Sequence, residues 1–153
     1  MIRNFSDDRS VIFMNATLVA TISKNKREEI RISLLRNNKI DIRTYFYFQN
    51  EPSPKPTKKG IWLSFKHIPP ILAAFAKYDA GAAAGFNLEF DVPDRRKEKI
   101  RVYVNEYMGG KVIHIRTFYL KENEFNPGKG ISFAASLLPK MIEGLAALEK
   151  FKG

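Results

Sequence analysis

The chain has 153 residues, and 26 lysines and arginines against 16 acidic residues give it a formal net charge of +10 at pH 7. Hydrophobic residues make up 44% of the sequence and aromatic residues 12%, which excludes an intrinsically disordered chain and supplies a sizeable core. The sequence contains no cysteine, and this excludes disulfides, thiolate metal sites and cysteine nucleophiles.

The first half of the chain predicts four strands and a helix. Residues 17–23 are apolar and β-branched, and residues 30–35, 39–48 and 60–65 follow as further strands. In the segment 39–48, alternation divides the residues between two faces: Ile40, Ile42, Phe46 and Phe48 on one, and Asp41, Arg43, Tyr45 and Tyr47 on the other. A helix begins near Pro69, because Ile68, Ile71, Leu72 and Phe75 recur at helical spacing.

The second half predicts the same series of elements. Strands are expected over residues 86–92, 100–107, 111–120 and 130–135, with a glycine hairpin turn at 108–111. Leu138, Met141, Ile142 and Leu145 have the spacing of a second helix. The small residues 80–85 between the halves are either a flexible linker or an extension of the first helix ended by Gly85.

The two halves also share short sequence blocks in the same order. Residues 42–46 (IRTYF) recur at 115–119 (IRTFY), residues 59–61 (KGI) at 129–131, and residues 30–32 (IRI) at 100–102 (IRV). We therefore predict an α+β fold of two tandem ββββα units: a first unit over residues 10–79, a linker over 80–85 and a second unit over 86–152. Each antiparallel sheet needs a cover for its apolar face, so the two helices are expected to pack together as an intramolecular pseudo-dimer.

Several of these blocks resemble a known family. Residues 107–111 (YMGGK), 113–116 (IHIR) and 127–132 (PGKGIS), with 55–61 (KPTKKGI) in the first half, resemble the transcriptional coactivator positive cofactor four (p15) family. The whirly single-stranded-DNA-binding proteins are a more distant resemblance. The resemblance implies a homodimeric fold that binds single-stranded DNA, here with two copies in one chain.

The resemblance also implies which residues contact nucleic acid. The aromatic residue before the hairpin matches Tyr107, and the repeated arginine matches Arg43 and Arg116, each followed three residues later by Phe46 or Tyr119. The cations of the family's loop match Lys55, Lys58 and Lys59 in the first half and Lys129 in the second. For the cations of its hairpin, Lys39 and Lys111 are the nearest substitutes. Strict alternation instead places Tyr45 on the face of Arg43, and a β-bulge near Thr44 would reconcile the two, so either Tyr45 or Phe46 faces the ligand.

Charge and aromatic residues support this assignment independently of the family. Spaced cations and stacking aromatic residues on an open sheet suit the phosphates and unpaired bases of a single strand. Residues 30–78 contain nine basic and two acidic residues, a charge of +7, whereas residues 100–150 contain seven and five, a charge of +2. The first unit is therefore expected to supply more phosphate attraction and the second the better aromatic residue.

The alternative interpretations of these residues are a solvated sheet face and a solubilising loop at 55–59. Trp62 fits either face of the sheet. Phe48, Phe65 and Phe75 are expected in the core.

The function predicted from the sequence is largely sequence-nonspecific binding of single-stranded DNA in transcription, replication or repair. No P-loop, nucleophile elbow or metal-ligand spacing is present, so we expect no enzyme activity, no cofactor and no metal. The alternatives are RNA binding on the same fold and a protein-interaction coactivator module.

No apolar run is long enough to span a membrane and no signal-peptide pattern is visible, so the protein is expected inside the cell, in the cytoplasm, nucleoid or nucleus. It is expected to be a monomer acting as a pseudo-dimer, with edge strands that allow further homo-oligomerisation.

Overall fold

Two antiparallel sheets of four strands, each in sequence order, make up most of residues 16–81 and 84–152, which this computed structural model describes. The first sheet contains β1 (Thr17–Ser23), β2 (Glu28–Leu34), β3 (Ile40–Phe46) and β4 (Lys55–Leu63). The second contains β5 (Asn87–Val92), β6 (Arg95–Tyr107), β7 (Gly110–Lys121) and β8 (Glu124–Ala134). The predicted fold of two ββββα units is confirmed.

One helix follows each sheet: α1 (Ile68–Asp79) and α2 (Leu138–Ala146), each entered through a short 3-10 turn and with proline in its first turn. Gly81 follows the end of α1 with φ +79° and donates its N–H to the carbonyl of Tyr78, so the interpretation of 80–85 as a helix extension is wrong. Residues 82–83 of the predicted linker and 10–15 of the predicted first unit lie outside the described residues. Within the described ranges, no helix has the length and apolar character needed to cross a membrane.

The two sheets have the same register at their repeated residues. Arg43 lies opposite Arg31 on one side and Gly60 on the other, and Arg116 lies in the same way between Arg101 and Gly130. The blocks that repeat in the sequence therefore occupy equivalent positions in the two sheets.

Each helix packs on the sheet of the other unit. Gly144 of α2 faces the first sheet, where a Cβ at Gly144 would be 2.9 Å from Cδ1 of Ile32 and 3.1 Å from Cβ of Ala20. Phe75 of α1 lies against the second unit, with its ring centroid 5.6 Å from that of Phe86 and 6.2 Å from that of Phe133. The helices also pack on each other, and one continuous core joins the two sheets, as the pseudo-dimer prediction required.

The last strand of each sheet is longer than predicted. β4 begins at Lys55 rather than 60, and β8 begins at Glu124 rather than 130, so the segments expected as basic loops are strands. A proline is tolerated in both because the last strand of a sheet does not need every N–H for a neighbour. β7 and β8 are joined by a two-residue turn, in which Glu122 and Asn123 have φ values of 52° and 66°.

Two of the three phenylalanines expected in the core lie there, and the third does not. Phe75 is fully buried and Phe65 packs partly buried against the core, as predicted. The prediction for Phe48 is wrong: it lies beyond the end of β3 and its side chain is 52% exposed. β3 ends at Phe46, and the ring of Phe48 lies edge-on to that of Phe46, with the two ring centroids 4.8 Å apart.

Enlarging Gly144 tests the crossed helix packing. We expect Gly144→Leu to lower the free energy of unfolding by about 1–3 kcal/mol, because the new side chain would overpack against Ile32 and Ala20. Urea denaturation measures the change. Ala146→Leu is the matched control, since residue 146 is exposed on the same helix. Equal stability of the two variants would contradict the packing of α2 on the first sheet.

The burial of His67 leads us to expect that the folded protein loses stability in acid. It is buried beside Phe90 of the second unit, Nδ1 accepts the N–H of Ser64 at 3.0 Å, and Nε2 has no partner among the described residues. Burial, with Lys66 and Lys39 nearby, lowers the pKa of His67 below its usual 6.5. As the pH falls, the unfolded chain therefore takes up the proton on His67 before the folded protein does. The stability that neutral His67 contributes is fully present above pH 6.5 and is lost as the pH falls from 6.5 toward the lower pKa of the folded state.

The variant His67→Asn retains an acceptor for the Ser64 N–H and does not titrate. We expect the free energy of unfolding of this variant to fall less steeply between pH 6.5 and 5 than that of the wild type, as measured by urea denaturation at each pH. His114→Asn serves as the comparison, because the pKa of His114 is also lowered by burial. An unchanged slope in His67→Asn would refute the assignment.

Candidate nucleic-acid interface

Each sheet has one face covered by helices and an outer face that the helices leave open. Alternation from the buried Ile30, Ile32, Ile40 and Ile42 fixes which side chains point outward in the first unit. The outer face of the first unit carries Arg31, Asp41, Arg43, Tyr45 and Trp62. The equivalent face of the second unit carries Arg101, Tyr103, His114, Arg116, Phe118 and Ser132.

The repeated arginine makes the same backbone contact in both units. A register shift occurs opposite Thr44 in β4 and opposite Thr117 in β8, so each last strand bulges. Arg43 donates from Nη1 to the carbonyl of Thr57 at 2.7 Å, and Arg116 donates to the equivalent carbonyl of Gly128 at 2.8 Å. Each arginine therefore holds the carbonyl that the bulge removes from the ladder.

A glycine lies opposite each arginine for a steric reason. A Cβ at Gly60 would be 2.6 Å from Cζ of Arg43, and a Cβ at Gly130 would overlap the backbone and Cβ of Arg116. The arginine side chain of the first unit crosses the strand at this glycine. The repeated Arg and Lys-Gly-Ile blocks thus encode one structural contact.

In the first unit the arginine is paired with a buried carboxylate. Asp41 is 0% exposed, and its Oδ1 accepts from Nη2 of Arg43 at 2.9 Å and from Nε at 3.2 Å. Burial raises the pKa of Asp41, while the charge and hydrogen bonds of Arg43 and the indole N–H of Trp62 oppose that rise. The charge of Arg43 is therefore largely neutralised inside the sheet face.

In the second unit, His114 occupies the position of Asp41, and the arginine has neutral partners. Arg116 donates from Nη2 to Oγ of Ser132 at 2.8 Å, and Ser132 Oγ lies 2.7 Å from Nδ1 of His114. No carboxylate lies within 4.0 Å of the Arg116 guanidinium among the described residues. Burial, and secondarily the charge of Arg116, lowers the pKa of His114, so the half-buried Arg116 supplies the positive charge at this position.

The predicted aromatic residues lie on different faces. β3 pairs with β2 without interruption, so Tyr45 shares the outer face with Arg43 and Phe46 lies on the opposite face; the irregularity expected near Thr44 is in β4. Tyr45 is 6% exposed, and the guanidinium of Arg31 lies 4.7 Å from the centre of its ring. Tyr119 is 38% exposed on the face opposite to that of Arg116, where its ring covers Gly128.

The predicted lysines are all exposed but have different surroundings. Lys55, Lys58 and Lys59 line the bulged part of β4, and Lys129 lies in the equivalent part of β8. None of these four has a carboxylate within 4.0 Å among the described residues. Lys39 lies in the turn before β3, whereas Lys111 is paired with Glu106 at 2.7 Å.

Tyr107 lies at the tip of the long β6–β7 hairpin. Its side chain is 68% exposed and that of the neighbouring Met108 is 90% exposed. In the first unit the β2–β3 hairpin has shorter strands and a longer connection, residues 35–39, and Leu35 in that connection is buried. An exposed aromatic residue at the hairpin is therefore a feature of the second unit.

The structure thus groups some predicted residues and separates others. Arg43 lies beside the lysines of β4, and Arg116 beside Lys129, whereas Phe46 and Tyr119 are on the opposite face and Tyr107 is at a distant tip. The sequence interpretation missed the partners of the arginines: Asp41, Ser132 and His114. The sequence shows Asp41 and His114 two residues before the arginines and Ser132 two residues after Gly130. Only the strand register shows that these side chains lie next to the arginines.

Removing each arginine should have unequal effects on stability. We expect Arg43→Leu to lower the free energy of unfolding by about 3–5 kcal/mol, because it leaves the buried Asp41 carboxylate without its cation. The matched variant Arg116→Leu should lose about 1–2 kcal/mol, since it removes hydrogen bonds to neutral groups. Urea denaturation measures both, and the double variant Asp41→Leu/Arg43→Leu should recover most of the first loss. Similar losses in the two single variants would contradict the buried ion pair.

Comparison with known proteins identifies one segment of the chain. Residues 95–144, from β6 into α2, match the family model described as Transcriptional Coactivator p15 (PC4). No curated protein shows significant similarity to the chain. A solved structure described as "Crystal structures of trypanosoma bruciei MRP1/MRP2" has 10% sequence identity to this chain and a TM-score of 0.43. The alignment covers 98% of this chain and 97% of that chain. The second unit of this chain is therefore PC4-like over residues 95–144.

Proposed function

We propose that the chain binds single-stranded DNA, largely without sequence preference, along the outer faces of its sheets and the basic segments of β4 and β8. The observation that carries this proposal is a group of exposed lysines on the bulged last strands, next to the repeated arginines. Within residues 16–81 and 84–152, these lysines have no carboxylate partner. Lys55, Lys58 and Lys59 lie within one short segment, and a phosphate backbone is the ligand for such a row of cations.

The two units contribute differently in this proposal. The +7 charge of residues 30–78 supplies most of the long-range attraction, through the lysines of β4 rather than through Arg43. In the second unit Arg116 has N–H groups beyond those bound to Gly128 and Ser132, and these suit a phosphate oxygen. Tyr107 at the hairpin tip supplies an exposed ring for a base.

The family match supports nucleic-acid binding or a coactivator role as the general function. Within that role, we propose that the first unit (10–79) and the second unit (86–152) form one binding module, because each helix packs on the sheet of the other unit. The module acts as a monomeric pseudo-dimer. We propose no catalytic activity for it.

A charge-matched pair of variants tests the proposed surface. Binding of fluorescein-labelled oligo-dT is followed by anisotropy at several salt concentrations, beside RNA of the same length and a DNA duplex. The triple variant Lys55→Gln/Lys58→Gln/Lys59→Gln should weaken dT binding and lower the slope of log affinity against log salt by about 2, since each phosphate contact on a single strand contributes roughly 0.7.

The control carries the same change of charge on the helical side of the molecule: Lys140→Gln/Lys150→Gln/Lys152→Gln, all exposed. It should retain nearly the full slope. Equal losses in the two triple variants would refute a localised surface, and tighter binding of RNA or duplex than of dT would refute the preference for single-stranded DNA.

A further inference from the structure

Trp62 is an exposed aromatic residue on the outer face of the first sheet. It lies on β4 directly opposite Asp41, and its side chain is 44% exposed. The second unit has Ser132 at the equivalent position, opposite His114. The exposed indole is therefore a feature that distinguishes the first unit, and the shared folding requirements of the two units do not explain it.

The indole of Trp62 lies across the strand pair from Asp41, whose carboxylate is fixed by Arg43. The same carboxylate interacts with the Trp62 side chain, and this interaction opposes the rise in the pKa of Asp41. An aromatic ring already restrained in this way loses less side-chain entropy when a second ring stacks on it. Because the Trp62 side chain is partly exposed, part of the indole is accessible to a second ring.

The surroundings of Trp62 suit a base rather than a phosphate. Arg43, which is paired with the Asp41 that faces Trp62, is neutralised by that carboxylate and buried. The next outward position on β4 is Gly60, which has no side chain to cover the indole. The other aromatic residue of this part of the face, Tyr45, is covered by Arg31 and is closed to stacking.

We propose that Trp62 is a base-stacking residue for an unpaired nucleotide, oriented by Asp41, while the lysines of β4 bind the adjacent phosphates. This inference rests on the proposed function and adds a division of labour to it: the sheet face of the first unit binds bases, and that of the second unit, with Arg116 and Ser132, binds phosphate. Trp62 and the basic segment 55–59 lie on the same strand, so one single strand can reach both.

Trp62 is the only tryptophan in the chain, so its fluorescence reports on this site directly. Titration with unlabelled oligo-dT should quench the emission to a plateau at the stoichiometry found by anisotropy. An abasic oligonucleotide of the same length, which has the phosphates without the bases, should bind with little quenching.

The variant Trp62→Ser introduces the residue found at the equivalent position of the second unit. It should weaken dT binding roughly tenfold and change the affinity for the abasic oligonucleotide less than twofold, in line with the stacking energy of one base. Phe48→Ser is the control, since it removes a ring of similar exposure beyond the end of β3 and should leave both affinities unchanged.

The outcomes separate this inference from the proposed function. If dT binds by anisotropy but neither quenches the emission nor discriminates Trp62→Ser from wild type, the stacking role is wrong and the proposed function stands. If the wild type binds no dT by anisotropy at low salt, the proposed function is wrong and the stacking role falls with it.

Discussion

The contact on which each unit depends is the one between an arginine and the bulged last strand of its sheet. The bulge in β4 or β8 leaves a carbonyl outside the ladder, and Arg43 or Arg116 donates to that carbonyl. A buried or half-buried carbonyl without a partner would cost free energy, and a charged donor meets that need strongly. The arginine reaches it because Gly60 or Gly130 leaves the space for close approach. A lysine-bearing strand can therefore stay ordered at the edge of the sheet.

The two units share this contact but differ in the charge around it. Asp41 neutralises Arg43 in the first unit, whereas His114 and Ser132 leave Arg116 charged in the second. The bulged segment of β4 in the first unit carries three lysines, whereas the equivalent segment of β8 carries Lys129. Two equivalent frameworks thus carry different surfaces. In the function proposed above, bases stack beside Trp62, and phosphates bind beside Arg116 and along β4.

Much of the fold could be predicted from the sequence, because hydrophobic alternation and the repeated blocks are local patterns that can be recognised without knowledge of tertiary contacts. The order of the elements, the two helices and the pairing of the helices followed from these patterns. The basic segments could not be recognised as strands, since Pro56 and Pro127 are typical of loops and only the edge position of β4 and β8 makes them compatible with a sheet. The crossed packing of α1 and α2 was also beyond the sequence, because it depends on tertiary contacts such as that of Gly144 with Ile32.

The residue types of the candidate site were visible in the sequence, whereas their arrangement in space was not. The exposure of Lys55, Lys58 and Lys59 agrees with the sequence interpretation, whereas the burial of Arg43 depends on a carboxylate two residues away that only the strand register brings under its guanidinium. The face occupied by Trp62 also depended on the register of β4, since alternation from Ile61 allowed either one.

Mapping of amide chemical shifts by two-dimensional NMR during titration with oligo-dT tests the central claim most directly. The account predicts that the largest changes lie in β4, β7 and β8 and at the indole N–H of Trp62, with little change in α1 and α2. Changes concentrated on the helices, or spread evenly over the chain at saturation, would contradict binding along the outer faces of the sheets.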